Sequence, residues 1–369
     1  MLRAFQFRMY PNAGQTAELT RILKDNQETY NAALSERRDA WKVERKAITY
    51  RMQQDELTEL RKEPEFHWIA CDIQRDPLRR VDRAFKAFYR RCKTGENPGY
   101  PRFRAWHRYD SFTYSLPVMR TKSIKIPNLG DIRVRGGRPI TGRAKICTVK
   151  RSGKRWTASV VCDIGPEPEK IAVSNAVGID VGLTSLATLS DGTVIENPRW
   201  TRKNEARIAA ANRKLALKQK RSKNRIKARE ELRRAHQRAA NARVNHIHHV
   251  SKWLVANYDL VAFEDLNIRN MAHSTMAKSI HDAAWGILIW QLTYKAESAG
   301  KWAVPVNPYG TSQKCSGCGA MVKKSLAERV HSCSCGLVLD RDHNAGINIR
   351  ALGMSVAGIK PSEWRCVSR

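Results

Sequence analysis

The sequence predicts a mixed architecture: a helical and antiparallel-β first part, then an α/β second part with a small metal-bound module. Three observations lead there. Short runs of β-branched and aromatic residues separated by turn signals fill residues 98–163. After residue 175, apolar strand-like runs alternate with long helical stretches. Four cysteines cluster between Cys315 and Cys335.

Residues 1–10 (MLRAFQFRMY) alternate basic or polar with apolar side chains, the period of a half-buried strand. Pro11 ends that run, and Asn12 is placed to cap a helix. Leu19, Ile22, Leu23, Tyr30, Leu34 and Trp41 then recur at helical spacing, and charge-rich helical sequence continues to about Lys93. After Pro98, the runs SFTYS, KSIKI, DIRVR, AKICTVKR and RWTASVVCDI read as strands of a small antiparallel sheet or barrel. Residues 166–174 (PEPEKIAVS) read as a linker, which places a domain boundary there. Next, VGIDVGLTSLATLSDGTVIEN holds two apolar runs joined through Ser190-Asp191-Gly192, a hairpin signal. Residues 202–243 contain sixteen Lys or Arg against three acids, with no Pro or Gly, and predict long basic helices. A buried-strand run follows at 259–264. Then come a helix with Trp285, Leu288, Leu292 and Ala296 as its core stripe, and a strand at 302–306.

The chain has 369 residues, 42% of them apolar, enough for packed domains and against wholesale disorder. Its 67 Lys and Arg outweigh 35 Asp and Glu, leaving a net charge of +32. A polyanion relieves such self-repulsion, and nucleic acid gains affinity through counterion release. Arg213, Lys214, Lys218, Lys220, Arg221, Lys223, Arg225 and Lys227 are the expected phosphate contacts. The most apolar stretch, 283–292, is too short to span a bilayer, and the first residues lack the apolar core of a signal peptide. A cytoplasmic nucleic-acid protein with no membrane partner is expected. The nine cysteines, five scattered and four clustered, read as metal binding in a reducing cell, not as disulfides.

Asp180 lies inside the apolar run Val177-Gly-Ile-Asp-Val181, where an ionised carboxylate is costly unless it is paired or binds a metal. Glu264 ends a second apolar run under the same constraint, and Asp342 precedes a helix-like segment starting at Asn344. Coming from distant segments, the three acids could converge on Mg²⁺ (or Mn²⁺), hard ions that take oxygen ligands. Two such ions about 3.5–4 Å apart stabilise both the attacking and the leaving oxygen of a phosphodiester displacement. Each acid alone reads equally well as a helix cap or an arginine partner. Asp340 competes with Asp342, since both lie in Asp-Arg-Asp, whereas Asp191 and Asp265 read as turn and helix-start residues.

Cys315-Ser-Gly-Cys318-Gly and Cys333-Ser-Cys335-Gly form two knuckles, each followed by glycine. Thiolates at this spacing suit tetrahedral Zn²⁺, and four protein ligands leave no open position, so the site is structural. The second knuckle is one residue shorter than the usual C-x2-C, and His331 lies near enough to substitute as a ligand. The group Asn245-His-Ile-His-His249 reads as packing or phosphate contact on a basic helix, not as a metal site.

In this order, MLRAFQFRMYPN, GYPRF, SFTY, GIDVGLTSLATLSDG, FEDLNI, AKSIHDAAWG with YKAE, TSQKCSGCG and CGLVLDRDHNAGIN resemble the signatures of the TnpB family over most of the chain. That family comprises transposon-encoded RNA-guided nucleases related to type V CRISPR effectors. The resemblance implies a RuvC-type nuclease with an RNase H-like fold over 173–312 and 337–352, interrupted by a zinc ribbon at 313–336. It implies a wedge-type β-barrel formed by 1–13 and 98–172, a helical recognition insertion at 14–97, and a tail, expected to be disordered, at 353–369. The family's catalytic acids fall on Asp180, Glu264 and Asp342, which decides against Asp340. A guide RNA and double-stranded target DNA are the implied partners, with the protein, monomeric on its RNA, reading a short motif beside the target. No H-N-H nuclease signature is present, so one site would cut both strands. The short second knuckle and Gly346, often alanine in the family, depart from its pattern. Two other readings share these residues: an RNase H-like transposase or resolvase acting without RNA, and a non-cleaving repressor.

Overall fold

Strand β1 (Leu2–Tyr10) buries Phe5, Phe7 and Met9 and leaves the residues between them exposed, as its alternation requires. Asn12 caps helix α1 (Ala13–Glu44) in a reciprocal box with Gln15, the two bonds being 2.8 and 3.1 Å; such a cap contributes about 1 kcal/mol. Leu19, Ile22, Leu23, Tyr30 and Leu34 form the buried stripe of α1, while Trp41 is half exposed near its far end. Helices α2 (Tyr50–Leu60) and α3 (Cys71–Lys93) follow. Then come strands β2 (Ser111–Ser115), β3 (Val118–Met119), β4 (Ser123–Ile126), β5 (Gly130–Arg135), β6 (Arg143–Ser152) and β7 (Arg155–Asp163). With β1 they make one antiparallel sheet in the order β2-β6-β7-β1-β5-β4-β3.

This computed structural model describes residues 1–136, 139–325 and 328–359, and the chain divides into two compact units, Met1–Pro166 and Glu167–Arg369. The expected barrel is corrected here. Among the described residues β2 and β3 are edge strands with no ladder between them, so the sheet is open. Strand β3 is two residues long and pairs with β4.

The second unit is built on a five-stranded sheet. Its strands are β8 (Ala176–Val181), β9 (Ser185–Leu189), β10 (Val194–Glu196), β11 (Leu260–Glu264) and β12 (Trp302–Val306), in the order β10-β9-β8-β11-β12. β8, β11 and β12 run parallel; β9 and β10 complete an antiparallel meander. The predicted hairpin through Ser190-Asp191-Gly192 joins β9 to β10, and a second turn at 182–184 joins β8 to β9. The basic stretch forms α4 (Trp200–Lys203), α5 (Glu205–Ala216) and the 35-residue α6 (Lys223–Asn257). Helices α7 (Ile268–Met271), α8 (Ala277–Ala283) and α9 (Trp285–Ser298) lie between β11 and β12. The two-stranded β13 (Val330–Ser332) and β14 (Val338–Asp340) precede α10 (Arg341–Val356). The expected tail at 353–369 therefore begins inside a helix, and from residue 360 it lies outside the described residues.

The sheet is covered on both faces, which is why its strands read as continuous apolar runs. Val177, Ile179, Val261 and Phe263 share one core with Leu254 of α6 and Leu288 and Leu292 of α9. Leu260 and Ala262 share another with Ile349 and Met354 of α10. Helix α10 lies almost bare on the strands. A Cβ added at Gly178 would stand 2.1 Å from the Gly346 carbonyl oxygen, and one at Gly353 would stand 2.3 Å from the Ala262 Cβ. The charge of Asp342, at the start of α10, acts on Asp180 near the end of β8, whereas Met354, near the end of α10, packs with Leu260 at the start of β11, so α10 runs against the strand direction and its first turn sits at their C-terminal ends.

Candidate active site and metal centre

Strand parity points the acids. Gly178 faces α10, so Asp180, two residues on, faces it too. Ala262 faces α10, and Glu264 follows by the same rule. The parallel register pairs Phe263 with Ile179. One further step places Glu264 beside Asp180, about 4.8 Å away between strand axes. Asp342 is in the first turn of α10, over the same strand ends. All three side chains are neither buried nor fully exposed, as a site open to a substrate needs.

The surroundings differ for each acid. Burial, then the charges of Glu264 and Asp342, push the Asp180 carboxyl up to about 8, against the pull of Arg341. Burial also raises Glu264, opposed by a hydrogen bond from the Thr311 hydroxyl. Asp342 is engaged by Arg341 at 3.1 Å and Arg329 at 3.6 Å. Asp340 is occupied otherwise: its carboxylate accepts from the amides of Asp342 and His343 at 2.9 and 3.1 Å and so caps α10. Asp191 is a turn residue that accepts from Thr193 N and the Tyr258 hydroxyl. Asp265 is exposed, and the helix start after it is capped instead by Asn267.

An acid that stays protonated near neutral pH because burial and two nearby acids disfavour its charge is a group that a divalent cation would ionise. The donor set, three carboxylates and no nitrogen or sulfur, suits a hard ion. Among the described residues, the four cysteines alone form a group of three or more His, Cys, Asp or Glu donors within 4.8 Å of one another. As a set the three carboxylates are more loosely spaced than that, with Glu264 and Asp342 each near enough to raise the Asp180 carboxyl.

The cysteines are closed. Sγ of Cys315 and Cys335 lie 3.7 Å apart and those of Cys318 and Cys333 3.5 Å apart. A tetrahedron of sulfurs about 2.3 Å from one ion has edges of about 3.8 Å. The short second knuckle therefore delivers both its thiols, with the Leu337 carbonyl accepting from Cys333 N at 3.0 Å. The amide of Cys318, with the His331 side chain also contributing, lowers the Cys315 thiol to about 5. His331 is buried beside the cluster and in contact with Lys324, while the four sulfurs already complete the donor set.

The basic stretch presents most of its cations to solvent. Arg213, Lys214, Lys220, Arg221, Lys223 and Lys227 are exposed and Lys218 is partly so. Lys214 pairs with Glu231 at 2.7 Å. Arg225 is partly engaged within the protein: its Nη1 donates to the carbonyls of Leu215 and Lys218 at 3.0 and 2.8 Å, closing the end of α5. Sequence reasoning also missed Thr311, which is buried and touches Glu264. Its only signal was a hydroxyl residue in the turn just past a strand neighbouring that of Glu264. Gly346, noted as a departure, has a structural reason, because a Cβ there would lie 3.0 Å from Ser190 N.

Comparison with known proteins places the chain. Residues 159–275 match a family model described as a probable transposase, and residues 285–349 one described as a Cas12f1-like TNB domain. Residues 1–46 match a helix-turn-helix model, although here they form β1 and one unbroken helix. A Streptomyces pristinaespiralis protein, provisionally named RNA-guided DNA endonuclease, is 35% identical over 97% of this chain and 92% of its own length. The similarly named InsQ of Escherichia coli K12 is 30% identical over 96% and 93%. The solved structure of the mini-RNA-guided endonuclease CRISPR-Cas phi3 shares the fold with a TM-score of 0.53 at 8% identity, covering 96% of this chain and 92% of that one. Further relatives carry the name TnpB-like. By likeness over nearly its whole length, the chain belongs to the TnpB family, whose bacterial members just described are provisionally named RNA-guided DNA endonucleases.

Proposed function

We propose that this protein is a transposon's RNA-guided endonuclease, cutting double-stranded DNA beside a short flanking motif, with Asp180, Glu264 and Asp342 as its RuvC-like catalytic carboxylates. The observation that carries the reading is the meeting of these acids at the C-terminal ends of β8 and β11, where ligand sites of open α/β sheets lie. The strand order, with an antiparallel meander beside parallel strands, supports the RNase H-like assignment.

Magnesium or manganese, held by the three carboxylates, would supply the charge that phosphodiester hydrolysis develops on its oxygens. The chain's own residues do the rest. Strands β8 and β11 hold two of the acids side by side, and α10 brings the third. Zinc on Cys315, Cys318, Cys333 and Cys335 is structural, since its four ligands leave no open position. Arg213, Lys214, Lys218, Lys220, Arg221, Lys223 and Lys227 would meet nucleic-acid phosphate. Sequence choice falls to base pairing of a guide RNA with its target. DNA as substrate implies a nucleoid-associated, cytoplasmic location, and one chain per RNA suffices for one site. None of the helices among the described residues is long and apolar enough to cross a membrane.

The test is to purify the protein with its bound RNA, sequence that RNA, and offer DNA matching it behind a randomised flank. Mg²⁺-dependent cutting at matched sites is expected, lost in Asp180→Ala with RNA binding retained. A variant that cuts at the wild-type rate overturns the site. Cutting that ignores the RNA would favour a transposase or resolvase, and no cutting with any guide would favour a repressor.

A further inference from the structure

The turn after β12 joins the two metal centres, and side chains that neither centre explains hold it. Residues 307–311 lead from β12 into the first cysteine knuckle. Thr311, 4% exposed, directs its hydroxyl at Oε1 of Glu264, with the Pro308 carbonyl 3.1 Å away. Two asparagines one turn apart on α10 fix the backbone from Thr311 to Ser316. The Asn348 amide donates to the carbonyls of Thr311 and Lys314 at 2.9 and 2.7 Å. The Asn344 amide donates to Lys314 O at 2.8 Å, and its oxygen accepts from Ser316 N at 2.9 Å. Asn344 is wholly buried and Asn348 nearly so. Buried amides that satisfy backbone groups in this way specify one arrangement, because leaving any of them unpaired is expensive.

Helix α10 thus carries Asp342 in its first turn, grips the approach to Cys315 with its next two turns, and through Thr311 reaches Glu264. We infer that Thr311 is a positioning residue: its hydroxyl, anchored between the cysteine knuckle and α10, fixes the orientation of the Glu264 carboxylate relative to Asp342. The inference rests on the reading of Glu264 and Asp342 as ligands of one ion site. A glutamate side chain has three rotatable bonds, and at the open end of a strand little else holds it. The hydroxyl sets which carboxylate oxygen is left to face the other two acids. It also gives the cysteine knuckle a second use, as the fixed point from which that bond is made.

The experiment uses the full chain bound to its guide RNA and compares Thr311→Val, Thr311→Ser and Glu264→Gln. Valine keeps the shape and removes the hydroxyl, while serine restores it. Three quantities are measured: the Mg²⁺ concentration giving half-maximal cleavage, Mn²⁺ binding by electron paramagnetic resonance, and bound zinc. The expected result for Thr311→Val is an increase of about tenfold in the Mg²⁺ requirement and matching weaker Mn²⁺ binding, with zinc and guide RNA at wild-type levels. This is the scale of one hydrogen bond to a charged group. Thr311→Ser should return to within about twofold of wild type. Wild-type metal dependence in Thr311→Val, with Glu264→Gln inactive, overturns the inference and leaves the assignment of the acids standing. Wild-type cleavage by Glu264→Gln overturns that assignment instead. Loss of zinc in Thr311→Val makes the residue a part of the knuckle's own fold and also overturns the inference.

Discussion

Replacing Asp180 with asparagine removes the charge that its surroundings resist most, and the effect on stability has a definite sign. The carboxyl rises from 3.8 to about 8 through burial and the charges of Glu264 and Asp342. Between those values the folded chain keeps a proton that the unfolded chain has lost. Stability contributed by the neutral form is therefore fully present below about pH 4 and is lost as pH rises to about 8. A shift of about four units at 1.36 kcal/mol each sets a ceiling of about 5–6 kcal/mol. Asp180 is only partly buried, and the effective dielectric at such a site is well above that of a dry interior, so about half of that is expected. Asp180→Asn, which cannot ionise, should thus gain about 2–3 kcal/mol on the wild type between pH 4 and pH 8.5. For a unit of this size that corresponds to roughly 5–10 °C in melting temperature. The assay is thermal unfolding of both proteins in magnesium-free buffer at pH 4.5, 6.5 and 8.5. Adding Mg²⁺ should narrow the gap, since a bound ion stabilises only the protein that holds it. A gap that is constant or shrinks with rising pH would refute the reasoning.

Four further outcomes are expected from the same geometry. Cys335→Ser, or a zinc chelator, should release the metal and make residues 313–336 protease-sensitive; zinc release on a colorimetric reporter should sharpen as the pH falls, because the ligands must be thiolates. Replacing Lys218, Lys220 and Arg221 with alanine should weaken RNA or heteroduplex binding and flatten its log-log salt slope by roughly two to three, read by filter binding. Arg225→Ala should instead lower the melting temperature by removing the guanidinium that ties the carbonyls of Leu215 and Lys218 together, with little change in slope. Gly178→Ala should destabilise the protein by about 3 kcal/mol or more and abolish cleavage, because the added carbon meets α10 backbone instead of a movable side chain.

Much of the fold and of the candidate site is legible wherever a single residue breaks its own surroundings. Asp180 and Glu264 announced themselves as charges at strand positions whose neighbours are apolar, and the four cysteines by spacing alone. What the sequence hid was anything decided by a partner far along the chain. Arg225 looks like its basic neighbours in sequence, but the turn of the helical hairpin folds it onto α5. Thr311 carries no mark of its bond to a residue 47 positions earlier. The turn from β8 to β9 lacks the usual Asn-Gly or Asp-Gly signal, so one hairpin was seen where the meander has two. Closure of the first sheet could not be read either. Strand existence follows from alternation, but whether the last strand meets the first depends on lengths and twist that alternation does not encode.

The bare seam where Gly178, Gly346 and Gly353 bring helix and strands together has a consequence for how this protein can change. Most packed interfaces are held apart by side chains, and exchanging a large one for a small one tunes the distance. Where Gly178 meets Gly346 and Arg350 only hydrogens separate two backbones, and at Gly353 only the Ala262 methyl intervenes, so the gap is already at the limit set by atomic radii. No substitution can narrow it, and any added carbon must widen it. Change in this chain is therefore easier in the loops and helices around the sheet than along this seam, which fixes how α10, and with it Asp342, sits over the strand that carries Asp180.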